Sequence, residues 1–356
     1  MRLSDRIDAL CLLGDTLRQR ELWEDVVNEA FINNPWFTPK NIQNALDAIA
    51  YNFLNRDKMQ MWLASYDLGN IRSKRIGLIP AGNVPLVGIH DIISVLITGH
   101  HLLIKPSDKD KVLTNRLLED LIKIDKEFAN YIQVMEKLKG YDAVIATGSD
   151  NSARYFQSYF KHVPHIIRKN RNSVAVLDGT ESQEDLCALG LDVFTYFGMG
   201  CRNVSKVFIP KGYNFNALLE ALHEYNDQVI HHHKYFNNFE YNTALFLLNK
   251  TPFLNNGCII ITESESLHSR IACLHYEFYE SKESLYEKLK AAEDSIQCIA
   301  SKIPIFDLEI VPFGKTQSPE LWDYADGVDS IKFLLECQVE SGNSSLHQAN
   351  NKRRCK

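Results

Sequence analysis

RIGLIPAGNVPLVGIHDIISVLITGHHLLIKPSD (residues 75–108) contains two short apolar strand segments joined by a Pro-, Gly- and Asn-rich loop and an apolar helical stretch. The strand segments, RIGLIP (75–80) and HLLIK (101–105), are apolar at consecutive rather than alternate positions, as strands buried on both faces are. A helix over 85–98 is the kind of crossover that two parallel strands require. The stretch predicts a βαβ unit.

The pattern continues in both directions. Downstream lie a helix over 109–137, the strand DAVIATG (142–148), a helix over 150–160, and the strands HIIRK (165–169) and SVAVLD (173–178). Upstream, residues 1–68 read as helices. Thr38-Pro39 starts one of them, with Pro at the first helical position, and Ile42, Ala45, Leu46, Ile49, Phe53 and Leu54 follow at helical spacing. A second α/β stretch comprises a helix over 183–197, SKVFIP (205–210), a helix over 213–226, and ALFLLN (244–249) read as a strand. CIIITE (258–263), IACLHYEFY (271–279), a charged helix over 282–294 and the strand IQCIAS complete it. The fold class expected is α/β, with a parallel sheet that binds ligands at the carboxyl ends of its strands.

At 356 residues the chain is long for one core, so two domains are expected. The boundary is placed near 180, at DGTES, where Ser182 can cap the next helix with Asp185 three residues on. Residues 1–180 then form the N-terminal helices and first α/β unit, and 181–311 the second. The chain can return to the first unit over 312–340, and the polar stretch 341–356 reads as a disordered tail.

Composition narrows the function classes. The chain is 45% apolar and 24% charged, with a net charge of −6, which offers no basic field for a phosphodiester backbone. No run approaches the length of a membrane span, and the N-terminus does not read as a signal peptide, so the cytoplasm is the expected compartment. The eight cysteines are scattered without CxxC spacing. Most lie in apolar strand or helix patterns, as in GCIIIT and IQCIAS, where cysteine serves as a small core residue.

Three segments can carry chemistry. In GMGCRNVSK (198–206), two glycines ahead of Cys201 let a substrate approach the thiol, and Arg202 favours a thiolate. The preceding helix opposes it, because its negative end points toward Cys201. A buried structural cysteine at a turn is the competing reading. In the loop after RIGLIP, Asn83 can aim its amide at a developing oxyanion, while Lys105 and Asp108 can hold ribose hydroxyls; ordinary turn chemistry explains the same residues. In IATGSDNSARYF (145–156), a strand runs through Thr147, Gly148 and Ser149 into a helix whose N-terminus suits a pyrophosphate, or for which Ser149 is simply the cap.

Taken in order, these segments resemble the aldehyde dehydrogenase superfamily, with its Pro-x-Asn-x-Pro loop, Lys-Pro-Ser-Glu strand end, Thr-Gly-Ser turn and cysteine just before a strand. PFGKTQSP (312–319) is similar to its late Pro-Phe-Gly segment. NPWFT (34–38) and YFGMGCRNVSKVFIP extend the match to the LuxC-type acyl-CoA reductases, which supply aldehyde in bacterial luminescence. The resemblance implies an aldehyde dehydrogenase-like fold, a Rossmann-type cofactor domain and a catalytic domain carrying the nucleophile Cys201. Asn83 and the Cys201 backbone N–H would form the oxyanion hole. Lys105, Ser107, Asp108, Thr147, Gly148 and Ser149 would contact the cofactor, NADPH with NADH as the alternative. The implied reaction reduces an acyl-CoA, of fatty acyl type, to aldehyde through an acyl-Cys enzyme. Alternatives are another activated acyl donor, including a protein partner's thiol, or a non-catalytic binding protein. The superfamily also implies a possible homo-oligomer.

One departure bears on mechanism. Where aldehyde-oxidising members carry Glu-Leu-Gly-Gly, this chain reads Ile167-Arg168-Lys169-Asn170, and no Glu lies between 151 and 180. Without that base an acyl-enzyme escapes hydrolysis, which favours acyl reduction. Three other signals are set aside. His231, His232 and His233 are successive and cannot face one ion, so no metal is expected. FGKT (313–316) lacks the leading Gly of a phosphate loop, since position 309 is Glu. Tyr196, Phe197, Tyr235, Phe236 and Phe239 read as core in preference to an acyl channel.

Overall fold

The structure, a computed structural model, describes residues 1–69 and 71–337. Helices α1 (Leu3–Leu17), α2 (Glu24–Asn33) and α3 (Pro39–Ala48), a π-helical turn (Ile49–Phe53) and α4 (Arg56–Leu63) precede the first strand. Thr38 caps α3 by accepting from the Asn41 N–H, with Pro39 at its first position. The predicted βαβ unit follows as β1 (Arg75–Ile79), α5 (Ile89–Ile97) and β2 (His101–Ile104). Next come α6 (Lys111–Ile124), β3 (Ile132–Val134), β4 (Ala143–Thr147), α7 (Asp150–Phe160) and β5 (His165–Arg168). These five strands form one parallel sheet in the order β3-β2-β1-β4-β5. The order reverses between β1 and β4, so the carboxyl ends of these strands open onto a switch-point crevice.

A second sheet, β11-β6-β7-β10-β9-β8, takes up the rest. It contains β6 (Asn172–Val176), β7 (Val204–Pro210), β8 (Leu254–Asn255), β9 (Ile260–Glu263), β10 (Cys273–Tyr279) and β11 (Ile296–Ser301). All its pairings are parallel except β8 with β9. Its helices are α8 (Gln183–Phe194), α9 (Phe215–His223), α10 (Asn226–Val229), α11 (His233–Leu248) and α12 (Lys282–Ala291). Finally α13 (Ser330–Glu336) packs on α5, and His100 Nε2 meets the Leu334 carbonyl at 3.1 Å. No helix among the described residues is long and apolar enough to cross a membrane.

Four expectations need correction. SVAVLD, grouped by chain order with the first unit, is hydrogen-bonded between β7 and β11 as β6; local sequence does not reveal which sheet a buried strand joins. The helix expected over 109–137 ends at Ile124, and Ile132–Val134 adds an edge strand too short to show a period. ALFLLN is the last turn and a half of α11 rather than a strand. Its Leu247 and Leu248 are 64% and 81% exposed, so the apolar run is not a doubly buried one. The helix expected to run to 197 stops at Phe194. The proposed tail, 341–356, lies outside the described residues.

The loop between β1 and α5 is fastened to α6 by Asp110. Its Oδ2 accepts from the Leu86 N–H (3.0 Å) and the Thr114 hydroxyl (3.2 Å), while Leu86 takes a left-handed φ of 53°. Asp110 Oδ1 is buried without a partner. Burial pushes this carboxyl from its ordinary 3.8 up to about 8 against the two hydrogen bonds. The stability tied to this raised pKa is therefore complete below about pH 4 and lost as pH rises through about 8. Urea unfolding should show the wild type weaker at pH 8.5 than at pH 5.5, at about 1.4 kcal/mol per unit titrated. Asp110→Asn should remove most of that slope; an unchanged slope would mean that Asp110 titrates normally.

Candidate active site

Cys201 sits on a turn built by one buried amide. After α8, Tyr196 (φ 54°), Phe197 (φ 58°) and Gly198 (φ 75°) are left-handed in succession, which reverses the chain. Two of these residues are not glycine, so the turn stores strain and must be held from outside. Asn203, only 2% exposed, does so. Its Nδ2 donates to the carbonyls of Asp192 (3.0 Å), Val193 (3.4 Å) and Thr195 (2.7 Å), and its Oδ1 accepts from the Gly200 N–H (2.8 Å). The α8 carbonyls expected to oppose a thiolate are thus occupied by a donor. Gly200 is needed for space: a Cβ there would lie 3.0 Å from Asn203 Oδ1 and 3.6 Å from Val84 Cγ1. Cys201 itself is partly exposed.

Val84 belongs to the β1–α5 loop, which is where Asn83 enters. Asn83 Nδ2 donates to the Met199 carbonyl at 2.7 Å, two residues before Cys201. An amide carries two hydrogens, so one remains for another acceptor; Asn83 Oδ1 is buried without a partner. The structure thus brings Asn83 and the Cys201 turn together from different sheets.

A third segment is pinned to α8. Asp192, fully buried on α8, accepts from the Gly314 N–H (2.7 Å), the Thr316 N–H (3.1 Å) and the Thr316 hydroxyl (2.8 Å). That carboxylate therefore holds PFGKT against α8 and occupies the FGKT turn that resembles a phosphate loop. Arg202 donates to the Asp323 carbonyl (3.1 Å) and to Cys298 Sγ (3.3 Å). Ser173 bridges the two cysteine strands, donating to the Cys201 carbonyl (3.0 Å) and accepting from the Cys298 N–H (3.1 Å). Asp326 is paired with Arg171 at 3.1 Å. Arg168, at the end of β5, is buried in a pair with Asp91 of α5 and donates to Ser330 Oγ at 3.0 Å.

Three of these residues were invisible in the sequence. Cys298 reads as core in IQCIAS, yet its sulfur meets Arg202. Arg168, next to the Ile167 that stands at the position of the expected base, pairs with a carboxylate far away in the chain. Asp326 brings an acid to the junction from a segment outside the Glu-Leu-Gly-Gly equivalent, but Arg171 engages it. Burial pushes the Cys201 thiol up; Arg202 pulls it down, Cys298 and Asp326 push it up further, and its own backbone N–H lowers it. Burial likewise raises Cys298 against the charge of Arg202.

The residues expected to meet a cofactor line the carboxyl edge of the first sheet. Lys105 and Ser107 are half-buried just past β2, and Asp108 is exposed. A Cβ on Gly82 would lie 2.2 Å from Ser107 Oγ, so Gly82 lets the β2 end pack against the Asn83 loop. Thr147 ends β4 and Gly148 follows it. Exposed Ser149 caps α7, accepting from the Ser152 N–H at 3.4 Å, so its hydroxyl is engaged within the helix. The side chain of Lys105 makes no hydrogen bond or ion pair among the described residues. An unpaired ammonium after β2 and the N-terminus of α7 after β4, both at the carboxyl edge of one parallel sheet, are a donor set that fits an anionic dinucleotide.

His232 is a bridge between segments rather than a ligand: it bonds the Pro35 carbonyl (2.8 Å) and stacks on Trp36 at 4.8 Å. Phe197 lies against both rings. Tyr196, Phe197, Tyr235 and Phe239 are core, and Tyr235 donates to the Cys258 carbonyl.

The sequence profile of the acyl-CoA reductase (LuxC) family matches residues 22–228, more than half of the chain. No curated protein sequence matches. Among solved structures, aldehyde dehydrogenase 21 from Physcomitrella patens, in complex with succinate, superposes with a TM-score of 0.69 at 11% identity. The alignment covers 96% of this chain and 85% of that one. A mutant betaine aldehyde dehydrogenase from Staphylococcus aureus, in its apo form, gives 0.63 at 13% identity, covering 89% and 73%. An indole-3-acetaldehyde dehydrogenase complexed with NAD+ gives 0.62 at 14% identity, covering 85% and 72%. These likenesses establish the fold.

The charges around Cys201 predict opposite shifts in its reactivity. In a Cys298→Ser background, Arg202→Met should move the pH profile of Cys201 alkylation by iodoacetamide upward. Asp326→Asn should move it downward. Peptide mapping by mass spectrometry measures both. Shifts in the same direction would refute the arrangement of charge described here.

Proposed function

Because the chain belongs to the acyl-CoA reductase (LuxC) family, oxidoreductases acting on acyl and aldehyde groups, we propose that it reduces a fatty acyl-CoA to aldehyde through a thioester on Cys201. The supporting observation is the meeting of Asn83 and the Cys201 turn, joined by the 2.7 Å bond from the Asn83 amide to the Met199 carbonyl.

In the first half, the Cys201 thiolate attacks the acyl carbonyl, a C–S bond forms, and the C–S bond to the carrier breaks, releasing its thiolate. The Arg202 charge, second only to burial in its effect on the thiol, supports the ionised form. The negative charge that develops on the carbonyl oxygen is received by the second hydrogen of the Asn83 amide and the Cys201 backbone N–H. For the second half, a reduced nicotinamide held at the carboxyl edge of the first sheet would supply hydride for the acyl carbon. Asn83 again holds the oxyanion, now of a thiohemiacetal on Cys201, and its collapse releases aldehyde and regenerates the thiolate.

Lys105, Ser107, Asp108, Thr147, Gly148 and Ser149 would hold the cofactor at the carboxyl edge of the first sheet. NADPH is proposed over NADH, with exposed Lys109 beside Asp108 available for a 2′-phosphate. Two features support reduction over hydrolysis: the stretch Ile167-Arg168-Lys169-Asn170 carries no glutamate where oxidising relatives place one, and the acid at the junction, Asp326, is paired with Arg171.

Incubation with a long-chain acyl-CoA without cofactor should leave an acyl mass on the protein, absent in Cys201→Ala. An adduct surviving in Cys201→Ala would assign the nucleophile elsewhere. Asn83→Ala should keep the fold while lowering kcat about a hundredfold or more, the loss of one oxyanion donor. Full turnover in that variant would remove Asn83 from the mechanism.

A further inference from the structure

The buried guanidinium of Arg6 has no counter-ion among the described residues. Arg6 lies on α1, ahead of the stretch that matches the family profile, and is 8% exposed. Among the described residues its guanidinium makes no hydrogen bond or ion pair, and Nε is buried without a partner. Burial accordingly works against its charge. The acid whose charge acts on it, Asp5, is engaged by Arg2 at 2.8 Å. Its other neighbours supply no carboxylate: Tyr131 is a phenol, and His100, pushed down to about 4 chiefly by burial with Arg6 and Lys74 contributing, is a base. Arg6 also sits where α5 ends, and that dipole favours a cation, but no carbonyl accepts from it.

The same guanidinium lines a cavity of about 600 Å³ with Leu63, Tyr66, Leu68, Gly99 and Tyr131. Gly99 (φ 79°) is shaped to it, because a Cβ there would lie 1.9 Å from Arg6 Nη1. The volume is that of a small-molecule site; Arg2 and Met1 also line it, but Arg2 is paired with Asp5 and the Met1 ammonium with Glu127, which leaves Arg6 as the cation without a counter-ion among aliphatic and aromatic walls.

We propose that this cavity binds a carboxylate with an aliphatic body, its two oxygens meeting the Arg6 fork and its chain lying against Leu63 and Leu68. A planar carboxylate matches a single guanidinium, whereas a dianionic phosphate would carry more charge than Arg6 neutralises. The cavity lies at the end of α5 opposite the Asn83 loop and includes none of the residues assigned to catalysis, so the proposal stands independently of the reductase reading.

Thermal unfolding of the full chain in octanoate tests it. The wild type and Cys201→Ala should both show a saturable rise in Tm, roughly 3 °C at a hundred times Kd. Arg6→Met, which removes a buried unpaired charge, should unfold no earlier than the wild type without ligand and lose the response. Leu68→Glu, at a half-exposed position beside Arg6, should lose it as well and provides the test should Arg6→Met fail to fold. No shift in the wild type overturns the proposal. So does a wild-type response in either variant, which would place octanoate elsewhere, or a response to inorganic phosphate but not to octanoate.

Discussion

Everything at the junction depends on four hydrogen bonds to the side chain of Asn203. The chain leaves α8 through three left-handed residues, two of them aromatic, and would not adopt that path alone. Asn203 gives its amide N–H groups to the last carbonyls of α8 and takes the Gly200 N–H in return. These polar groups on the inner face are therefore satisfied by one buried residue, where an unpaired one costs on the order of 1–3 kcal/mol. The result is a short rigid arm that carries Cys201 out of the second sheet toward the first.

Two other constraints meet that arm. Asp110 and the Gly82–Ser107 contact fix the loop that delivers Asn83, and Asp192 fixes the PFGKT segment to α8. The guanidinium of Arg202 then joins the arm to residue 323, as that of Arg171 joins β6 to residue 326. The arrangement places arginines at both strand ends nearest the thiol. The charge environment of Cys201 thus comes from side chains distributed over the second sheet, the end of β5 and the last described segment.

Much of this architecture was legible in the sequence because parallel, doubly buried strands announce themselves locally. RIGLIP, HLLIK, DAVIATG, SKVFIP and IACLHYEFY all appear as strands with boundaries shifted by a few residues at most. The Ser182–Asp185 capping box was readable for the same reason, being complete within four residues. ALFLLN failed because apolar content alone cannot separate a strand from the exposed apolar face of a helix. The grouping of SVAVLD with the first unit failed because strand order is a tertiary property. At the site, the motif order marked Asn83 and Cys201 as candidates, and the structure brings their loops together. Cys298, Arg168 and Asp326 were not legible: each gains its environment from a partner more than 75 residues away in the chain.

The most direct measurement is the rate of acyl transfer to Cys201 in Asn203→Asp, a change of nearly equal size that keeps the acceptor for Gly200 but turns an oxygen toward the carbonyls of Asp192, Val193 and Thr195. Rapid-quench mass spectrometry with an acyl-CoA and no reductant reports that step alone. The account predicts a folded protein of lower Tm whose acylation is slowed about a hundredfold or more, because the arm no longer presents the sulfur. Acylation at the wild-type rate in a folded Asn203→Asp would contradict it.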